Sequence, residues 1–180
     1  MSNRIKKSLL LAIAFIAFAV SANAQGIVDS TAKYPYYKDT FDIKMNASFE
    51  KVWNSTKELV GELGGQLAVQ KSSQDEEGKY RGTIKSDNII IADGVDSSIK
   101  VLQRYEYEMI YVPNGVWTIG RVNYRIVMNE IDADNTRIQL FIQLSGKENK
   151  ITQIFHFFKS NGVLENEFLK KLYAKLGLTF

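Results

Sequence analysis

From Val122 to Met128, and again from Ile138 to Leu144, every second residue is apolar: Val122, Tyr124, Ile126 and Met128, then Ile138, Leu140, Ile142 and Leu144. The residues between them, among them Asn123, Arg125, Gln139 and Gln143, are mostly polar. A period of two turns one face of a strand to a core and the other to water. The chain therefore has to build an antiparallel sheet with one covered face. Setting Ile138 and Leu140 beside Ile126 and Met128 requires paired residue numbers with an even sum. A three-residue loop, Ala133-Asp134-Asn135, meets that condition, because Asn135 tolerates a positive φ.

A third strand is predicted upstream. Asn114-Gly115 is the favoured pair for a two-residue type I′ hairpin. Taken as the turn, it sets Tyr107 opposite Val122, Tyr105 opposite Tyr124, Gln103 opposite Ile126 and Val101 opposite Met128. The same register faces Arg104 with Arg125, a like-charge pair that opposes it. Phe41, Ile43 and Met45 form another alternating strand, and Leu67 and Val69 pair with a return strand from Tyr80 to Lys85 across the polar turn "KSSQDEEGK". Two apolar stretches stay open: Ile89 to Ile91 sits in loop-like composition, and "ITQIFHFF" over 151–158 fits a strand or a helix.

Helices cover the sheet. Phe49, Val52, Trp53, Leu59, Val60 and Leu63 recur at steps of three and four, with Ser48 as N-cap and Gly64-Gly65 as the stop. Leu164, Phe168, Leu172 and Leu176 mark a second such helix ending before Gly177. The predicted fold is α+β: a curved antiparallel sheet of five to six strands with two amphipathic helices packed on one face.

Residues 1–24 read as a secretory signal. Arg4, Lys6 and Lys7 precede an apolar run from Leu9 to Val20 and the pattern Ala22-Asn23-Ala24. That run is shorter than the ~20 residues a spanning helix needs, so no transmembrane anchor is expected after cleavage before Gln25. Residues 25–38 form a lead-in that Tyr34, Tyr36 and Tyr37 could strap down, and 39–177 make a single α+β domain. The expected location is exported, periplasmic or extracellular. Removing three basic residues from 23 leaves 20, equal to the 20 acidic ones. A formally neutral mature chain offers no basic footprint for nucleic acid. Without cysteine, the fold rests on an ordinary core.

The chemistry-bearing motifs are few. His156 is the only histidine, so no zinc-type set and no Ser-His-Asp assembly has a second candidate. Glu106 and Glu108 share a strand face with arginines, "DADN" lacks the glycine and distal glutamate of a calcium loop, and the glycines after the first helix stand at the wrong dipole end for phosphate. No catalytic residue, metal or cofactor is expected, and the chain is not read as an enzyme. The candidate ligand-binding set is Trp53, Tyr105, Tyr107 and Tyr124. It lines an apolar cavity if the first helix bridges the sheet, and belongs to the core if the helix lies flat.

The order strand, "FEKVWNSTKELVGELGG", strand, "EEGKYRGTIKSD", long hairpin with "GRVNYRIVM", and closing helix after "SNGVLENEFLKKL" resembles a family of secreted bacterial domains of unknown function. That resemblance spans residues 38 to 131 and implies a TBP-like fold; the last helix resembles related envelope domains such as those of the outer-membrane assembly lipoprotein BamC. The alternative resemblance is to START-like helix-grip domains, in which a long C-terminal helix covers an apolar tunnel. Neither transfers a site residue. The functional expectation is a non-catalytic binding domain, foremost a cell-envelope protein-interaction module. The alternative is a carrier of an apolar small molecule or lipid. Its partner is accordingly an envelope protein or an apolar small molecule, with no nucleic acid.

Overall fold

The computed structural model describes residues 41–180; the predicted signal and the lead-in with Tyr34, Tyr36 and Tyr37 lie outside the described residues. Along them run β1 (Phe41–Met45), α1 (Phe49–Glu62), β2 (Leu67–Gln74), β3 (Tyr80–Ser86), β4 (Ile89–Asp93), α2 (Val95–Tyr105), β5 (Trp117–Asp132), β6 (Asn135–Glu148), β7 (Phe155–Phe158) and α3 (Val163–Leu176). The architecture is α+β, with an antiparallel sheet of seven strands and three helices. β5 and β6 form its central hairpin. β3 and β4 pair with successive stretches of β5, β1 and β7 with successive stretches of β6, and β2 lies outside β3.

In the body of the hairpin Ile126 faces Leu140 and Met128 faces Ile138, the predicted parity. The closure differs from the predicted three-residue loop. Asp132 pairs with Asn135 across the two-residue turn Ala133-Asp134, and a register shift between Glu130 and Asp132 leaves Ile131 as the extra residue. Asp132 Oδ1 accepts from the Asp134 amide (3.0 Å) and from Asn135 Nδ2 (2.7 Å), which closes the tight turn. A two-residue turn plus a one-residue bulge has the same parity as a three-residue loop.

The predicted pairing of Tyr105 and Tyr107 with Tyr124 and Val122 does not occur. Residues 95–105 are helical, and Tyr105 ends α2. Ile99, Leu102 and Tyr105 satisfy a period near 3.6, and Leu102 is fully buried. Gly94, at φ 98°, breaks β4 and starts the helix in a conformation that L side chains rarely adopt. Asn114 does take a positive φ, 56°, but as the third residue of a turn closed by the Gly115 amide on the Val112 carbonyl at 2.9 Å. Pro113 at the second position is what that type II geometry favours. The turn is real, and it joins no two strands.

The first open stretch is a strand, and the second is a strand over 155–158 alone. Ile89 faces Val122, and 155–158 pairs with 144–147 of β6.

The face carrying Gly120, Val122, Tyr124, Ile126 and Met128 supports all three helices. Trp53 of α1 packs on Gly82, the partner of Met128. Phe168 of α3 stacks on Tyr124 at 5.0 Å. Leu102 of α2 lies over the directly opposed Gly120 and Gly146. Ser48 occupies the N-cap position of α1 in extended conformation but makes no side-chain capping bond. Gly64 (φ 83°) and Gly177 (φ 71°) end α1 and α3 as expected of glycine stops. Lys175 of α3 ties the two helices by ion pairs to Glu58 (3.1 Å) and Glu62 (2.9 Å). No helix among the described residues is long and apolar enough to cross a membrane.

Candidate functional site

The helical step from Phe49 to Trp53 sets the two rings one turn apart on one face of α1, stacked at 5.8 Å and 17°. On β3, Tyr80 lies two residues before Gly82 and so on the same face. Its ring continues the stack against Phe49 at 5.4 Å and 19°. Gly82 makes this possible: a Cβ there would stand 2.4 Å from the Trp53 ring. The underside of Trp53 is therefore filled by backbone. The outer side lines an open groove of about 600 Å³ with Phe49, Asn54, Ser72, Tyr80 and Glu130. Glu130, at the end of β5, holds the rim by accepting the Tyr80 amide at 2.8 Å. Tyr80 is 45% exposed.

The other sequence-predicted residues lie elsewhere. Tyr124 is buried against Phe168, four residues from Met128 along β5 and so ~13 Å from the Trp53 end. Tyr105 reaches the same neighbourhood from α2: its hydroxyl donates to Glu167 Oε2 at 3.2 Å, while Arg104 holds Glu167 Oε1 at 2.9 Å. Burial raises both phenol pKa values, Tyr124 far above the ordinary tyrosine range, and the negative Glu167 adds to the shift. Both phenols therefore stay protonated. Tyr107 is exposed and donates its amide to the Lys159 carbonyl at 2.8 Å. The structure thus unites Tyr105 with Tyr124 and leaves Trp53 and Tyr107 apart from them. Phe49, Tyr80 and Glu130 were missed. The signal for two of them was present in the i, i+4 step and in a glycine two residues beyond a tyrosine on one strand.

The second polar constellation is built around Glu148, which is buried at the end of β6. Its carboxylate accepts the amides of Val116, Lys150 and Ile151, each at 2.8 Å, and of Thr152 at 2.5 Å. Desolvation would raise this carboxyl's pKa, but the converging amides outweigh it and hold the pKa far below the usual carboxylate range. Thr152 Oγ1 also donates to Glu148 Oε2 (3.0 Å) and sits 2.7 Å from His156 Nε2. His156 packs edge-on to Trp117 at 5.3 Å. The order is His–Thr–Glu, with the hydroxyl in the middle. A nucleophile requires the base in the middle. Here the hydroxyl proton is committed to Glu148, so this geometry fixes a loop.

No protein-family profile matches the chain, and no curated protein is similar to it at a significant level. Among solved structures the chain is similar to a DUF4468 family protein from Bacteroides ovatus, at 11% identity and a TM-score of 0.29. The similarity covers 66% of this chain and 59% of that one.

Proposed function

We propose that this protein is an exported, non-catalytic binding domain that acts as a protein-interaction module of the cell envelope, with the Phe49–Trp53–Tyr80 stack as its anchor. The observation that carries the proposal is the contrast between the two sides of Trp53: filled by Gly82 beneath, open to a groove of about 600 Å³ outside. Large aromatic side chains held rigid at a half-exposed rim are what protein partners use as hot spots. The carrier reading needs an enclosed volume beneath Trp53, and the glycine backbone occupies that place. The non-catalytic reading draws on the order of the His156, Thr152 and Glu148 contacts. The resemblance to TBP-like envelope domains of the BamC kind belongs to the same proposal and agrees with it in function class.

Native mass spectrometry of the protein taken from its own envelope tests this directly. The expected result is a mature chain beginning at Gln25 with a stoichiometric protein partner that is lost in Tyr80→Ala. Bound lipid in place of a partner would favour the carrier; a bare chain would sink both readings.

A further inference from the structure

The formally neutral charge of the mature chain conceals an uneven distribution. On the sheet face away from the helices, β5 presents Ile119, Arg121, Asn123 and Arg125, and β6 presents Phe141, Gln143, Ser145 and Lys147 opposite them. On the sheet itself the acidic neighbour in this half is Asp93 of β4, opposite Ile119, against the cations Arg121, Arg125 and Lys147. Lys85 of β3 adjoins Arg125, and Phe155 and Phe157 of β7 adjoin Lys147 and Ser145. The cations and rings are interleaved: the Arg121 guanidinium lies 3.4 Å over the Phe155 ring and Arg125 lies 5.3 Å over Phe141.

The connecting segments at this end of the sheet carry apolar side chains in water. Tyr111 is 85% exposed, Phe157 57%, Ile154 56%, Ile151 53%, and Ile110 and Tyr107 40% each. Two adjacent ties hold the 149–152 segment against Val116. Glu148 gathers Val116 and the amides of 150–152, and the Asn149 amide donates to the Val116 carbonyl at 2.9 Å. Tyr107 to Tyr111 and Phe157 line a shared groove of about 520 Å³. Apolar tips on rigid supports, with cations behind them and Lys150 exposed among them, differ from a stacking groove for a polymer strand and from a recessed apolar site for a peptide. Such tips suit a soft boundary whose inner layer is hydrocarbon and whose outer layer is anionic.

We propose that this end of the molecule is a peripheral docking surface for an anionic lipid bilayer. Tyr111, Ile151 and Ile154 enter the headgroup boundary, while Lys147, Lys150 and Arg121 meet lipid phosphates. Glu148 is a positioning residue that keeps the 149–154 segment presented. The surface is separate from the Trp53 groove and does not depend on it.

Co-sedimentation with vesicles decides the matter, using protein purified from its own cells so that every variant carries the same N-terminus. The expected result is binding to phosphatidylcholine vesicles that contain phosphatidylglycerol and much weaker binding to phosphatidylcholine alone. Each charge lost should cost about fivefold, so Arg121→Glu with Lys150→Glu should weaken binding more than tenfold. Tyr111→Ser with Ile154→Ser should also release the protein, with the thermal midpoint unchanged because these side chains are exposed. Tyr80→Ala should bind as wild type. The proposal is overturned by equal binding to both vesicle types, by no binding, or by indifference to these substitutions. It is equally overturned if a soluble single-stranded oligonucleotide binds as tightly and competes in full, or if the patch proves buried in a dimer that Tyr111→Ser dissociates.

Discussion

Two buried glutamates show how far a side chain's surroundings outweigh its type. Glu148 collects the amides of Val116, Lys150, Ile151 and Thr152, which depress its pKa against the cost of burial. Glu165, at the start of α3, is pushed upward by burial, and the Ser160 hydroxyl at 2.6 Å offsets that only in part. The linkage signs are therefore opposite. For Glu148, stability is present above the ordinary glutamate pKa of about 4.3 and lost as the pH falls toward the depressed value. Thermal denaturation of Glu148→Gln should therefore give a midpoint well below wild type at neutral pH, the gap narrowing as both are acidified. For Glu165 the folded protein favours the protonated form, so its contribution is complete below about pH 4.3 and disappears as the pH rises through the raised value. Glu165→Gln imitates that form. It should match or exceed wild type at neutral pH, and a variant markedly less stable there would refute the sign. Neither role could be read from the letters, because both depend on backbone amides or on burial supplied by distant segments.

At the scale of elements, glycine decides where helices can approach the sheet. Gly82 admits Trp53, and an added Cβ would stand 2.4 Å from a large ring that has Phe49 behind it. Gly82→Ala should therefore cost about 1–3 kcal/mol as an overpacked contact, read from urea unfolding, together with an altered Trp53 emission. Gly61 is the counter-case. It lies inside α1 at ordinary helical φ with nothing within 4 Å of an added Cβ, and Gly61→Ala should stabilise by about 0.5–1 kcal/mol. The two amphipathic helices, the short first strand, the β2–β3 pair and the parity of the β5–β6 register were legible because each is a local period set against a single core. The stretch from Val101 to Tyr107 was misread as a strand because its apolar residues fit a period of two and a period near 3.6 almost equally. The choice between them was settled by Leu102 finding the bare patch that Gly120 and Gly146 leave on the sheet. Asn114-Gly115 was then assigned to a hairpin although Pro113 before it favours a different turn.

For the molecule as a whole, one cluster of buried side chains joins all three helices to the sheet, from Met45 and Phe49 to Leu172 and Leu176. Phe168, 1% exposed and stacked on Tyr124, lies within it. Phe168→Ala should cost about 3–5 kcal/mol. Trp53 and Trp117, at opposite ends of the sheet, should report the same shifted urea transition by fluorescence, coincident with circular dichroism. Separate midpoints would mean that the two ends unfold independently. The same whole-molecule view exposes the basic half-face, which composition hides: with 23 basic and 20 acidic residues in the chain, only the pleat and the pairing register decide which charges share a surface.

The sequence alone determined the α+β class, the helix that carries Trp53, the closing helix with Phe168, and the side of β5 and β6 that faces the core. Each of these follows from a period that neighbouring residues set among themselves. Only tertiary structure decided that Val95–Tyr105 is a helix, that the Tyr105 hydroxyl bonds Glu167 while Phe49 joins the Trp53 and Tyr80 rings, and that Glu148 binds amides from both sides of the hairpin. Those contacts join residues far apart in the chain. Their free energies depend on which surfaces are left bare once the sheet has formed, and no local window of sequence contains that information.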